Sequence, residues 1–279
     1  MITILNKTAE GWLYHQKVDD SRGQGKLPAG IYKLEWIDIG SGYLYGFDPV
    51  TSDNDKPLEV DSQALNLVKE IDTFFKREDV FKKFGFSHKR GYLLHGPPGC
   101  GKSCTLRLLQ KHFIEKFDGI VLLWDKNDFE DHLDSLRNFE PNRPVMVVCE
   151  DIDGVLEKFE KNILEILDGQ RALNKFVLVA TTNYLEKVPS RIKDRPSRID
   201  RLVEIGAPDL GTRLKYLHSL GIDGMSAEKL AETSNGLSIA KLKELVIATV
   251  CFEEPVDEVV KRLINADMTV KNQDNDPEG

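Results

Sequence analysis

The chain has 279 residues, 41% of them hydrophobic and 30% charged; these are ordinary values for a folded protein with room for two domains, and they exclude a mainly disordered chain. Its net charge of -8 offers no general basic field to phosphate backbones, so nonspecific nucleic-acid binding is not expected. Cys100, Cys104, Cys149 and Cys251 lack paired metal-ligand spacing and read as reduced thiols; with no run near the ~20 apolar residues of a bilayer span and no signal-peptide pattern, a cytoplasmic protein without a membrane partner is expected.

Residues 1–57 are punctuated by Gly and Pro and read as a small β-rich N-terminal appendage. Within it, residues 30–39 and 43–47 flank Gly40-Ser41-Gly42 and form an expected β-hairpin. Its aromatics Tyr32, Trp36, Tyr43, Tyr45 and Phe47 are expected to make that module's core rather than a recognition face. After a turn-rich stretch, Leu65, Val68, Ile71, Phe74 and Phe75 recur at helical spacing and predict one amphipathic helix. From residue 92 onward, short apolar runs at 92–94, 120–123, 145–148, 176–180 and 202–205 alternate with helical patterns. Such runs suit strands of a parallel sheet buried on both faces by crossover helices. Beyond Pro208 the pattern is wholly helical, through Leu214, Leu217, Leu230, Leu242, Leu245, Val246 and Val259. The expected division is therefore 1–57, an α/β unit at 58–207, a helical subdomain at 208–266, and a tail at 267–279 with too little apolar surface to order.

Gly96-Pro97-Pro98-Gly99-Cys100-Gly101-Lys102-Ser103 satisfies G-x-x-x-x-G-K-[ST] between a predicted strand and a helix beginning near Cys104. Glycines let backbone N–H groups close round phosphates, and the helix N-terminus adds positive potential. Lys102 is expected to reach the outer phosphates, while the Ser103 hydroxyl ligates a Mg2+ that bridges phosphate oxygens. ATP and Mg2+ are the expected ligands. The run at 145–149 ends in Glu150-Asp151-Ile152-Asp153. By position Glu150 supports the metal and Asp151 polarises the attacking water, the two roles being open to exchange or sharing; the alternative is that these acids cap a helix. Asn183, closing Ala180-Thr181-Thr182-Asn183, is either a water-orienting amide at the carboxyl edge of the sheet or a turn residue. Arg195-Pro196-Ser197-Arg198-Ile199-Asp200-Arg201 is either a solvated basic loop or the source of an arginine finger for a neighbouring subunit's γ-phosphoryl group.

With Ile166-Leu167-Asp168-Gly169 between them, these motifs follow one another in an order that resembles the AAA family of AAA+ P-loop ATPases over about residues 62–262. The resemblance implies an α/β fold, a three-layer P-loop NTPase with a parallel sheet, a C-terminal helical lid and the small N-terminal β appendage. It implies Walker A at Lys102 and Ser103, Walker B at Glu150 and Asp151, sensor 1 at Asn183 and fingers at Arg198 and Arg201. Gly236-Leu237-Ser238-Ile239-Ala240-Lys241-Leu242 matches the lid segment whose backbone near Ile239 and Ala240 flanks the nucleotide. Most members read Asp-Glu where this chain has Glu150-Asp151. That order, with Arg90-Gly91-Tyr92-Leu93-Leu94, looks most like the branch containing the mitochondrial translocase of the Rieske iron–sulfur subunit and like AAA proteins of bacteriophages. The phage-like reading fits better, because no membrane anchor is expected. The aromatic-hydrophobic-glycine pore loop of protein-threading members is not found: Trp124 and Phe129 flank the corresponding region without a glycine and are expected in the core. No sensor-2 arginine is evident. The implied activity is ATP hydrolysis by a homo-oligomeric ring, six subunits being the usual family number. Such a ring would act as a remodeller or chaperone-like motor on protein rather than nucleic acid; the alternatives are a nucleic-acid-associated loader and a nucleotide-gated assembly scaffold.

Overall fold

The computed structural model describes residues 3–8, 11–16, 22–23, 26–38, 43–50, 62–124, 129–168, 174–195 and 198–273. The first strands are β1 (Thr3–Thr8), β2 (Gly11–Gln16), β3 (Arg22–Gly23), β4 (Gly30–Asp38) and β5 (Tyr43–Val50). Two helices follow, α1 (Ser62–Lys76) and α2 (Glu78–Phe84), and then β6 (Lys89–His95), α3 (Lys102–Phe117), β7 (Ile120–Leu123), α4 (Phe129–Phe139), β8 (Val145–Cys149), α5 (Ile152–Leu167), β9 (Phe176–Thr182), the short α6 (Ser190–Lys193) and β10 (Arg201–Glu204). The chain closes on α7 (Leu210–Ser219), α8 (Gly224–Thr233), α9 (Ile239–Val246) and α10 (Val256–Gln273).

The five apolar runs are strands β6 to β10, all parallel, in the order β10-β6-β9-β8-β7. Every residue of β8 and β9 is buried, because both strands have a neighbour on each side and helices on each face, which is why their sequences lack polar alternation. Side chains of successive residues still separate by period two. On one face Leu93, Leu122, Val147 and Leu178 meet Leu133, Leu136, Ile152 and Ile163 of α4 and α5. On the other, Leu94, Val121, Val148 and Val179 meet Leu67, Ile71, Leu106 and Phe113 of α1 and α3. The α/β three-layer fold expected from the sequence is the one observed. Helices α7 to α10 close on a separate core around Leu217, Ala231, Leu242, Leu245 and Val259.

Differences from the sequence reading lie at the ends. The predicted hairpin forms, with Leu34 opposite Phe47, but β4 also pairs in parallel with β7, Gly30 opposite Ile120. The N-terminal strands thus extend the central sheet, in the order β7-β4-β5-β1-β2-β3. The free N–H and C=O row of β7 needs a partner, and β4 supplies it. Side-chain contacts reinforce the join: the Leu27 amide donates to Glu140 Oε1 at 2.6 Å, and Arg143 Nη2 donates to the Leu27 carbonyl at 3.1 Å. Tyr32 and Phe47 are buried edge to face, 6.3 Å between ring centroids; the side chains of Trp36, Tyr43 and Tyr45 lie outside the described residues. In α1 the buried stripe is Ala64, Leu67, Ile71 and Phe74, with Leu65 exposed, a 3-4-3 spacing that keeps one face on the sheet. Residues 267–273, expected to open a disordered tail, continue the backbone of α10; 274–279 lie outside the described residues. Among the described residues no helix is long and apolar enough to cross a membrane.

His88 sits where α1 and α2 meet β6. Its ring stacks on Phe74 at 4.0 Å and faces Phe75 and Phe81 edge-on. Nε2–H donates to the Phe74 carbonyl at 2.9 Å, leaving Nδ1 buried without a partner. Burial holds its pKa below the usual 6.5, against the nearby Glu78 carboxylate, which pulls the other way. The fold therefore favours the neutral ring, and its contribution is complete above pH ~6.5 and lost progressively as pH falls through the lower folded-state value. Unfolding midpoints measured from pH 8 to 5 will fall for the wild type below pH 6.5, and His88→Phe will flatten that slope. Phe113, fully buried between α3 and the sheet, gives a second check: Phe113→Ala will cost about 3–5 kcal/mol in urea unfolding.

Candidate functional site

Between β6 and α3 the chain turns through three residues in the left-handed region, Gly96 (φ 149°), Gly99 (φ 75°) and Gly101 (φ 108°). A Cβ on Gly96 would lie 2.1 Å from the Ile205 carbonyl oxygen, and one on Gly99 would press on Ala240 Cβ at 3.0 Å and Ser238 Oγ at 3.1 Å. Gly101 precedes α3 with no side-chain cap. The first N–H groups of a 16-residue helix are therefore left for another acceptor, with the helix dipole behind them. The loop also carries Pro97, Pro98 and the buried Cys100, and Cys104 follows in the first turn of α3, half-buried.

Lys102 points back under this loop, 8% exposed. Its ammonium donates to the carbonyls of Gly96 (2.6 Å) and Pro97 (2.9 Å) and to Asn183 Oδ1 (2.6 Å). Three donors meet three acceptors. Burial lowers its pKa from the usual lysine value, while Cys100 and Asp151 oppose that shift. Asn183 Nδ2 in turn donates to Asp151 Oδ1 at 3.3 Å, so one amide joins the cation of the loop to the acid after β8. Asp151 has φ 47°, a conformation aspartate tolerates better than most residues, and its amide donates to Thr181 Oγ1 at 3.1 Å. Thr182 Oγ1 donates to Asp153 Oδ1 at 2.7 Å. Sequence reading did not single out Thr181 and Thr182; their signal was two hydroxyls ending an otherwise apolar strand.

Ser103 Oγ donates to Glu150 Oε2 at 3.0 Å. Both are hard oxygen ligands. Among the described residues no group of three or more His, Cys, Asp or Glu could hold a metal by itself. A two-oxygen donor set suits Mg2+, which binds through one or two protein oxygens and completes its shell from phosphates and water. Cys149, just before Glu150, is no competitor: burial, then the charges of Asp151, Asp153 and Glu150, push its thiol up to about 12. The helical subdomain closes the site from above, the Ala240 amide donating to the Gly99 carbonyl at 3.1 Å. Ile239 begins the same helix, whose N-cap is Ser238.

The two arginines are not brought to this site. Arg201 pairs with Tyr92, at the amino end of the β10 register, whereas the glycine loop follows His95, opposite Glu204. Three residues along a strand separate the two levels by roughly 10 Å. Arg198 is 5% exposed and makes a bidentate pair with Asp168, Nε to Oδ1 at 2.6 Å and Nη2 to Oδ2 at 2.7 Å. Its Nη1 donates to the Arg191 carbonyl. The guanidinium holds the Asp168 carboxyl below its ordinary range. The Arg201 side chain is 54% exposed, with Nη2 at 3.8 Å from Glu70 Oε2. Trp124 and Phe129 stack in the core at 4.6 Å; residues 125–128 between them lie outside the described residues.

The model of the family "ATPase family associated with various cellular activities (AAA)" matches residues 92–207. Among relatives, the Cell division cycle protein 48 homolog of Archaeoglobus fulgidus is 28% identical over 205 residues, 66% of this chain and 28% of that protein. Protein HYPER-SENSITIVITY-RELATED 4 of Arabidopsis thaliana is 30% identical over 206 residues, 63% and 35% respectively. The proteasome-activating nucleotidase of Methanosphaerula palustris is 23% identical over 268 residues, 84% and 63%. In each case the match takes in less than two thirds of the relative's length.

Calorimetric titration with a nonhydrolysable ATP analogue tests the geometry directly. Lys102→Ala will weaken binding at least about tenfold by removing a charge-assisted phosphate contact. Glu150→Gln will leave binding in EDTA unchanged but abolish most of the tightening that Mg2+ brings.

Proposed function

We propose that the chain carries an ATPase domain of the AAA family, whose model matches residues 92–207, and that it binds and hydrolyses ATP with Mg2+ between the copies of a homo-oligomeric ring, using the cycle to remodel another protein. The observation that carries this reading is the single hydrogen-bonded path Lys102–Asn183–Asp151 lying beside the Ser103–Glu150 pair. Lys102 exchanges its backbone acceptors for the outer phosphates. Glu150 and Ser103 hold Mg2+, which offsets phosphate charge as the bond breaks. Asp151, oriented by Asn183 and by the Thr181 hydroxyl, polarises the attacking water. The contacts support this division of labour, because Glu150 touches the metal-ligating hydroxyl and Asp151 touches the sensor amide. The Ala240–Gly99 hydrogen bond gives movement of the lid a direct handle on the phosphate loop.

The ring reading rests on the arginines, which lie apart from their own chain's candidate phosphate site and need a second copy to act on one. A neighbour that donates from one surface and receives on another makes a heterologous contact, which closes into a ring; six copies is the number we propose. Net charge of -8 favours a protein substrate over nucleic acid, and one relative's name is that of a nucleotidase that activates the proteasome. We place the protein in the cytoplasm and, on its Glu150-Asp151 order, near the Rieske-translocase-like and phage-encoded branches.

Steady-state ATP turnover measured against protein concentration, with mass photometry in parallel, tests the proposal. Turnover per subunit will rise as rings assemble, and Lys102→Ala and Asp151→Asn will each lose at least about a hundredfold. Turnover independent of concentration in a monomer refutes the interface site; assembly with ATP but no turnover makes the protein a nucleotide-gated scaffold. Stimulation by DNA with a steep salt dependence, in place of stimulation by unfolded protein, would identify a loader instead.

A further inference from the structure

Two aromatic rings stand in solvent where α2 turns into β6. Phe84 is 63% exposed and Phe86 65%, and their rings stack 5.9 Å apart at 18°. Hydrogen bonds fix the turn that holds them. With Gly85 at φ 70°, the Phe86 amide donates to the Phe81 carbonyl at 3.0 Å and the Gly85 amide to the Lys82 carbonyl at 3.1 Å, the paired bonds of a Schellman cap. Single exposed apolar residues need no explanation, whereas a joined pair makes a patch of the kind that marks a protein contact. Residues 80–90 carry Lys82, Lys83, Lys89 and Arg90 and no Asp or Glu. Lys89 and Arg90 are engaged within the fold, by the Leu167 carbonyl and by Glu70. Lys82 and Lys83 are exposed, Lys82 in a surface pair with Glu78.

A second patch, of the opposite sign, lies on the helical subdomain. After α9, Ile247–Cys251 form a π turn, closed by the Phe252 amide on the Ile247 carbonyl at 3.3 Å. Val250 is 55% exposed and Phe252 71%. Glu253 follows at φ 57°; the Glu254 amide donates to the Ala248 carbonyl at 3.0 Å, and its carboxylate accepts from Arg262 Nη1 at 2.9 Å. This corner, too, is held by its own bonds. A π turn and a left-handed glutamate are both uncommon and gather where a surface has a use. Residues 250–258 carry the carboxylates of Glu253, Glu254, Asp257 and Glu258 and no Lys or Arg, and all but Glu254 are exposed.

We propose that these patches are the two halves of one contact between copies of this chain: Phe84 and Phe86 of one copy seat against Val250 and Phe252 of the next, with Lys82 and Lys83 facing that corner's carboxylates. The inference rests on the homo-oligomer reading above and goes beyond it by naming the surfaces that join the copies. Within one chain both patches stay exposed, so neither covers the other there. Each offers an apolar centre with a rim of one sign, and the signs are opposite, which favours this pairing over either patch meeting its own kind. Because the halves differ, each copy gives one surface and receives on the other, a heterologous contact that continues from copy to copy until it closes. Corners already fixed by hydrogen bonds lose little freedom on joining. The contact also lies away from the phosphate loop. β6 runs seven residues from the aromatic turn to the loop, roughly 20 Å. α9 starts against Gly99 through Ser238 and Ala240, and its eight residues with the five of the π turn carry the chain roughly 15–20 Å away.

The test uses full-length protein with Mg2+ and a saturating nonhydrolysable ATP analogue, its mass followed by mass photometry and sedimentation. Phe84→Ser/Phe86→Ser and Phe252→Ser will each raise the dissociation constant of assembly at least about thirtyfold, as loss of a central aromatic anchor does. Melting temperature will not change, because the rings are exposed in the single chain. Mixing the two variants will give heterodimers and nothing larger, since each pair then has one sound junction. Lys82→Glu/Lys83→Glu and Glu253→Lys/Asp257→Lys will each weaken assembly about tenfold at low salt, and all four changes in one chain will recover most of the loss. The proposal is overturned if either aromatic variant assembles like wild type, if the mixture forms full rings or stays monomeric, if the combined charge reversal is no better than either half, or if lost assembly follows a lowered melting temperature. Aromatic variants that assemble normally but lose stimulation by unfolded protein assign the α2 patch to a substrate instead. Each of these leaves wild-type assembly in place; wild type that stays monomeric removes the homo-oligomer reading and this inference together.

Discussion

Two places where a backbone approaches β6 too closely for any Cβ organise the molecule. At Gly91 the intruder is the Arg198 carbonyl, and at Gly96 it is the Ile205 carbonyl, each 2.1 Å from the position a Cβ would take. Between them β10 lies along β6, secured at one end by reciprocal bonds between Gly91 and Asp200, both 2.8 Å, and at the other by the Ile205 amide on the His95 carbonyl at 2.7 Å. A side chain at either glycine would push β10 outward and tilt the strand that carries Arg201. The contact at Gly96 also shapes the start of the glycine loop, so the packing of β10 against β6 bears on both that loop and the strand that carries Arg201.

At the carboxyl edge the electrostatics close on themselves. Lys102 is buried yet charged, which is tolerable because two carbonyls and the Asn183 amide meet its three protons. Asn183 spends its other half on Asp151, and Asp151 takes its unusual backbone geometry from the Thr181 hydroxyl. Strain of this kind persists where neighbouring contacts over-determine it. Asp151 is thus held in place by its neighbours before any ligand binds.

The sheet's two sides are treated unequally. β7 is covered by β4 and the strands beyond it. β10 is left outermost, four residues long and bearing Arg201 and Glu204, features that resist indiscriminate strand pairing. One edge is therefore completed by the chain's own N-terminal part, and the other presents a short, charged strand beside α1 to whatever packs there.

Much of this was legible in the sequence because it is local. Eight consecutive residues from Gly96 to Ser103 specify a loop that needs positive φ and an uncapped helix start. Apolar runs of three to five residues specify parallel strands, buried except in the outermost β10, whose residues are mostly exposed, and the motif order specifies which strand ends carry acids and amide. The usual burial of large aromatics was enough to expect Trp124 and Phe129 in the core, where they lie. What it could not decide was pairing between distant segments. Residues 30–38 read as half of a hairpin whether or not their other edge binds β7, since a strand's sequence reports its burial and not its partner. Arg198 and Arg201 are indistinguishable as letters; their different surroundings depend on Asp168, 30 residues upstream, and Glu70, more than a hundred residues upstream. Electrostatic pairs of that separation leave no spacing signature, because the fold, not the chain, brings the charges within reach. The sequence by itself determined the chemistry at the phosphate loop; only the tertiary structure decided that one arginine is locked inside the chain and the other left at its edge.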